Sequence, residues 1–173
     1  MKRARYVLIA GILLLDQIVK WLVRRSMYVG ESIPVIQGVL HLTYVRNTGA
    51  AFNLFEGMSF FLQIVTFFAL IFAVWFMEKH LQRHWSLLLS LILIISGGAG
   101  NLIDRAALGY VTDLFDFRLI TFPVFNVADI AICVGCFFLI LYTFLFDRTA
   151  GETEPDEKRN GEKVRREHRN EQG

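Results

Sequence analysis

Four apolar runs of near-uniform length, at 6–23, 59–77, 85–103 and 127–146, constrain this chain more than any other feature. A helix needs roughly 20 residues to cross ~30 Å of hydrocarbon, and each run meets that length. Within a bilayer every backbone N–H and C=O must be satisfied inside the protein, which excludes open sheets at that depth and leaves helices. The runs therefore predict an all-α membrane protein built as a bundle of four transmembrane helices. A hydrophobic content of 54% agrees, because an ordinary soluble domain stays below it.

The opening Lys2-Arg3-Ala4-Arg5 followed by an apolar stretch resembles a secretory signal. No small-x-small cleavage site follows it, and Asp16, Gln17 and Lys20 interrupt the run, so it reads as a retained first span. Orientation comes from the cations. Lys2, Arg3, Arg5, Lys79, Arg83 and the seven basic residues after 147 would share one side, against Arg24, Arg25, Arg46, Arg105 and Arg118 on the other. The richer side is the cytoplasmic one, which puts both termini inside. A net charge of +2 gives no footprint for nucleic acid.

The outer connection 24–58 is too long to be a mere link. Its segments 32–36 and 39–46 are rich in Val, Ile, Leu, Thr and Tyr around Gln37-Gly38, which predicts a small extracytoplasmic β-hairpin between helices one and two. The second outer connection, 105–126, reads as a loop. Residues 1–146 form one membrane domain on this reading. From Asp147 onward acids and bases alternate without aromatic residues, which predicts a disordered cytoplasmic tail over 147–173.

Against this background five acids stand out: Asp16, Asp104, Asp113, Asp116 and Asp129 lie in or beside apolar stretches. A carboxylate at membrane depth costs several kcal/mol unless it is paired, hydrated or used. At ~1.5 Å per residue, Asp16 and Lys20 fall in the outer half of span one. Span three runs outward and ends with Asn101, Asp104 and Arg105, while span four starts outside with Asn126 and Asp129. Three helices thus bring polar groups to one depth.

Each group also has a plain structural reading. Asp16 and Lys20, four apart, can neutralise each other. Asn126 with Asp129 has the spacing of a helix cap. Asp104 and Arg105 could form an interfacial ion pair, and Gly97 to Gly100 a close-packing face. Cys133 and Cys136 read as buried thiols within span four, because a redox or zinc role needs a polar setting and, for zinc, further ligands.

Other hydrolytic chemistries find little support. His80-Leu81-Gln82-Arg83-His84 has the spacing of a zinc motif without its Glu, and no histidine lies within a span to activate a serine. Acid chemistry remains. Two neighbouring carboxyls that share a proton can act together, one as base on water and the other as acid toward a carbonyl. A proton-coupled transporter or channel component is the alternative use of intramembrane charge. A conduit needs polar groups through the full thickness, and the inner halves of these spans are almost bare of them.

Five ordered blocks then carry a resemblance: Asp16-Gln17 with Lys20; Asn47-Thr48-Gly49-Ala50-Ala51-Phe52; Gly97 to Arg105, which includes Asn101 and Asp104; Val111-Thr112-Asp113; and Phe125-Asn126-Val127-Ala128-Asp129. In this order, within a four-span chain, they resemble the lipoprotein signal peptidase (signal peptidase II) family of bacterial aspartyl peptidases. The resemblance implies an endopeptidase that removes signal peptides from prolipoproteins carrying a diacylglyceryl cysteine, cutting before that cysteine. It maps the catalytic pair onto Asp113 and Asp129, with Asp116 a rival that the V-x-D arrangement sets aside. Asn126 maps near the catalytic centre. Asp16, Lys20, Asn47, Gly49, Asn101, Asp104 and Arg105 map to substrate-binding or supporting positions. It further implies lipidated substrates, membrane lipid and globomycin-type inhibitors as partners, a monomer in the cytoplasmic membrane with its site near the outer face, and no metal or other cofactor. Leu114, Asn53 and Ile130 depart from the family's usual residues, which bears on substrate preference.

Overall fold

The computed structural model describes residues 2–49, 57–80 and 84–147. Along the chain run α1 (Lys2–Ser26), β1 (Ser32–Ile36), β2 (Leu40–Asn47), α2 (Ser59–Lys79), α3 (Trp85–Leu108), β3 (Val111–Phe117) and α4 (Val127–Tyr142), which ends in a wider π turn, Thr143–Asp147. Four helical stretches are long and apolar enough to cross a membrane: Arg3–Ser26, Ser59–Lys79, Trp85–Leu108 and Val127–Leu145. The helices run past the apolar segments because charged ends such as Lys2 and Arg25 continue the backbone hydrogen bonding once the apolar stretch is over.

α3 is the central helix, packing on α1, α2 and α4. Small residues make this possible. A Cβ on Gly97 would collide with the carbonyl oxygen of Ala128, and one on Gly135 would come within 2.9 Å of the Ser90 carbonyl oxygen, so α3 and α4 approach backbone to backbone. The Ser90 and Ser96 hydroxyls donate to the carbonyls of Leu87 and Ile92 on their own helix, which lets them be buried without partners elsewhere. Toward the inner end Met77, Leu87, Leu91, Ile92, Ile95 and Tyr142 form one apolar cluster. Large side chains such as Leu14, Ile18, Phe68, Phe72 and Phe137 point outward and remain exposed, as a lipid-facing surface requires.

The expected hairpin is present as β1 and β2, and the structure adds a third strand where a loop was expected. β3 pairs antiparallel with β2, Val45 opposite Asp113 and Asn47 opposite Val111, to give the order β1-β2-β3. Two aspartates in seven residues depress strand propensity, and the pairing with β2 outweighs it. The sheet packs on the outer end of α1 through Val23, Met27, Tyr44 and Leu114. Phe125 bridges to Phe115, so the residue just before α4 is tied to β3.

The cysteine expectation fails. Cys133 and Cys136 are both exposed on α4. A helix that is apolar all round carries no periodicity to say which face meets protein, so burial could not be read from the pattern. Residues 148–173, where the disordered tail was expected, and Ala50-Ala51-Phe52 of the second sequence block lie outside the described residues.

Candidate active site

On α1, Asp16, Lys20 and Arg24 recur every four residues and so share one face. Lys20 is wholly buried, with its ammonium 2.9 Å from Asp16 and 3.5 Å from Asp104 of α3. Arg24 approaches Asp104 at 3.3 Å and donates to the Thr112 hydroxyl at 3.0 Å. Two acids meet two bases, and this balance makes burial tolerable. The same acids also position other elements. Asp16 Oδ1 accepts from the Ala128 amide of α4 (2.9 Å), and Asp104 Oδ2 accepts from the Thr112 amide of β3 (2.9 Å). The Asp104–Arg105 ion pair that the plain structural reading allowed is absent among the described residues. Successive helical residues diverge by about 100°, so Asp104 turns to α1 while Arg105 donates to the Gly49 carbonyl at 2.9 Å.

Lys20 leads to the centre of the site. Its ammonium donates to Asn101 Oδ1 (2.9 Å), which also accepts from Asn126 Nδ2 (3.2 Å). With two donors on its oxygen, the Asn101 amide can turn only its nitrogen toward Asp129, and it donates to Oδ1 there at 2.8 Å. Asn126 Nδ2 also donates to Asp113 Oδ1 (2.7 Å), and Asn47 Nδ2 to Asp113 Oδ2 (2.9 Å). Asn126 caps α4 reciprocally with Asp129: its side chain accepts from the Asp129 amide (3.0 Å), and Asp129 Oδ2 accepts from its backbone N–H (3.1 Å). The capping reading of Asn126 is therefore correct, and the same residue also spans the two carboxylates.

Asp113 and Asp129 both open onto a cavity of about 780 Å³, whose polar lining includes Asn47, Gly49, Asn101 and Arg105 and whose apolar lining includes Phe122, Phe125, Ile130 and Val134. Burial, followed by the charge of Asp129, pushes the Asp113 carboxyl up to about 7 against the lowering effect of Asn47, Asn126 and Lys20. Asp116 behaves oppositely. Its modest desolvation is outweighed by the Thr43 hydroxyl at 2.7 Å and Arg118 at 3.0 Å, which hold its carboxyl below the ordinary range. It faces His41 across the sheet and takes no part in the cavity lining.

Every candidate site residue mapped by the resemblance thus joins one network or this cavity, and Asp116 stands outside both. Three contributors escaped the sequence reading: Arg24, Thr112, and Gln63 of α2, which donates to the Arg105 carbonyl at 3.0 Å. Arg24 was legible as the third member of the four-residue repeat on α1. Thr112 appeared only within the Val111-Thr112-Asp113 block, with no role attached, and Gln63 gave no signal. Among the described residues, no three His, Cys, Asp or Glu side chains converge as a metal site would require.

Known proteins are similar to this chain in sequence and fold. The pattern of the family described as Signal peptidase (SPase) II, Peptidase_A8, matches residues 8–145. The Lipoprotein signal peptidase of Halalkalibacterium halodurans is 44% identical over 147 residues, covering 84% of this chain and 94% of that protein. That of Halothermothrix orenii is 44% identical over 137 residues, covering 79% and 92%. A solved structure described as a bacterial membrane enzyme studied by the in meso method at 2.3 Å resolution superposes with a TM-score of 0.79 at 31% identity, over 87% of this chain and 92% of the other. With a matching pattern across nearly all of its membrane domain and relatives this similar over most of their length, the chain belongs to the lipoprotein signal peptidase, or signal peptidase II, family of aspartic peptidases.

Proposed function

We propose that Asp113 and Asp129 are the catalytic pair of this peptidase, and that it cleaves diacylglyceryl prolipoproteins immediately before the lipidated cysteine, near the outer face of the bacterial cytoplasmic membrane. The observation that carries the assignment is the Asn126 bridge: one side chain caps the helix of Asp129 and donates to Asp113, holding the two carboxyls at one cavity wall.

The division of labour follows from their surroundings. Asp129 lies in the first turn of α4, where the helix dipole favours negative charge, and both its oxygens accept hydrogen bonds. Asp113, raised to about 7, keeps its proton under mildly acidic to neutral conditions. Asp129 then takes a proton from a water as it attacks the scissile carbonyl carbon, while Asp113 donates a hydrogen bond to the carbonyl oxygen as negative charge grows there. Collapse of the tetrahedral intermediate breaks the C–N bond, and the proton held by Asp129 passes to the leaving amine. Arg105 on the same wall favours the developing oxyanion.

The apolar lining from Ile130 and Val134 gives the acyl chains a route along α4, at about 0.8 kcal/mol for each buried CH₂. Anchoring through lipid places the peptide bond at the depth of the pair. Membrane lipid surrounds the enzyme, globomycin-type compounds occupy the same cavity, and a monomer carries the whole site. Both termini lie in the cytoplasm, with 1–146 as the peptidase unit and 147–173 as its tail.

The test is incubation of the purified protein with a diacylglyceryl lipobox peptide, with and without globomycin, followed by mass analysis of the products. Cleavage before the modified cysteine, blocked by globomycin and lost in Asp113→Asn and Asp129→Asn, is the expected result. Cleavage that persists in either variant contradicts the assignment.

A further inference from the structure

On the wall of the catalytic cavity, near the end of β2, sits a cationic group that takes no part in the hydrogen bonds to Asp113 or Asp129. The Arg46 guanidinium stacks over Tyr110 with 4.8 Å to the ring centroid and lies 5.9 Å from that of Tyr44. Its Nε donates to the Tyr44 hydroxyl at 3.2 Å, and that hydroxyl lies 3.3 Å from the Tyr110 hydroxyl. Tyr44 is buried to 2% exposure, so it fixes the guanidinium from below. Arg46 itself is exposed, and no carboxylate among the described residues pairs with it.

Hydrogen-bond direction leaves this cluster with donors to spare. The Tyr44 oxygen accepts from Arg46 Nε, the two phenol oxygens share one hydrogen bond in which either can donate, and the hydroxyl proton not used in that bond is available to a ligand. The terminal nitrogens of Arg46 present the planar edge that matches a phosphodiester. Depth narrows the ligand. Arg24 acts on the Tyr110 hydroxyl electrostatically and belongs to the last turns of α1, where Arg25 lies over the exposed Trp21 ring, an arrangement typical of the headgroup layer. Asp16 and Asp104 already neutralise Lys20 and Arg24, so the charge of Arg46 is surplus at a depth where phosphates are the abundant anions.

We propose that Arg46 and Tyr110 bind the phosphate of an outer-leaflet anionic phospholipid, and that this contact supports cleavage by bracing β2. The coupling is short. The residue after Arg46 is Asn47, which donates to Asp113, and Gly49 accepts from Arg105. The inference rests on the peptidase reading and extends it to a lipid activator distinct from the substrate.

Its test uses the full chain in nanodiscs of neutral phosphatidylcholine or of phosphatidylcholine with rising phosphatidylglycerol, with cleavage of one diacylglyceryl lipobox peptide as readout. The unmutated enzyme should gain roughly fivefold in kcat/KM with phosphatidylglycerol, the scale of one guanidinium contact with an anionic membrane. Arg46→Gln, whatever its rate in neutral discs, should show no gain with phosphatidylglycerol, and Tyr110→Phe a reduced one. An effect of the lipid on substrate presentation would act on every variant alike. An equal gain in Arg46→Gln therefore overturns the proposal, as does the absence of any gain in the unmutated enzyme. Inorganic phosphate added to neutral discs should leave the rate unchanged; a matching rise there shows a soluble anion as the ligand and overturns the lipid assignment. Loss of cleavage in all discs, by contrast, counts against the peptidase reading itself.

Discussion

Asparagine, rather than aspartate, decides how this site is organised. Asn101, Asn126 and Asn47 each point an amide nitrogen at a carboxylate, and the first is locked by two donors on its oxygen. Replacing either carboxylate by an amide removes the proton exchange that the chemistry requires. Asp113→Asn and Asp129→Asn should each lower kcat by about 10²–10⁴-fold or more while leaving thermal unfolding near its usual temperature. Asp116→Asn should retain most activity, because Asp116 binds Thr43 and Arg118 and lies outside the cavity lining. The pH dependence has a definite sign. In the proposed mechanism Asp113 works protonated, and its carboxyl is raised to about 7, so cleavage should fall as pH rises through that value. A rate that climbs steadily to pH 9 would contradict this.

Among elements, α4 depends on residues that are remote in sequence. Its first turn is capped by Asn126, receives the Asp16 carboxylate on the Ala128 amide, and lies against Gly97 without an intervening side chain. Gly97→Val should therefore force α3 and α4 apart and cost about 1–3 kcal/mol. Thermal unfolding in detergent would register that as a lowered midpoint. Legibility in the sequence divides along the same line. The four helices and the β1–β2 hairpin were readable because length and local composition determine them. Asp16, Asn101 and Asp129 were readable because polar groups in apolar runs demand a reason. β3 was not, since Asp113 and Asp116 argue against a strand and only β2 supplies its partner. The face of α4 that carries Cys133 and Cys136 was not, since an apolar helix has no preferred side in its own sequence. Nor was the contact of Asp16 with α4, which depends on how α1 and α4 pack.

At the scale of the whole molecule, the balance of buried charge lies at one end of the bundle. Asp16, Lys20, Arg24 and Asp104 neutralise one another beneath the sheet, while the inner cluster around Met77 and Leu91 is apolar. The hydrogen bonds and ion pairs that tie the two carboxyls to the buried charges run between residues 16 and 129. Deleting residues 151–173 should leave kcat/KM within about twofold, because so charged a segment has too little apolar surface to pack onto the membrane domain. A large fall in turnover by a well-folded truncated protein would place the tail in the working enzyme.

The contact between Asp16 and the Ala128 amide joins the first helix to the last. During synthesis Asp16 emerges from the ribosome more than a hundred residues before its partner, and Asp113 emerges before the segment that supplies both Asn126 and Asp129. A nascent chain halted before α4 therefore has one carboxyl of the pair and an unclosed charge network. It should be unable to cut the lipoproteins being inserted around it, and should become competent only when the final helix arrives. Ribosome-stalled chains ending before and after α4, tested on the same lipidated peptide, would show whether activity switches on at that point.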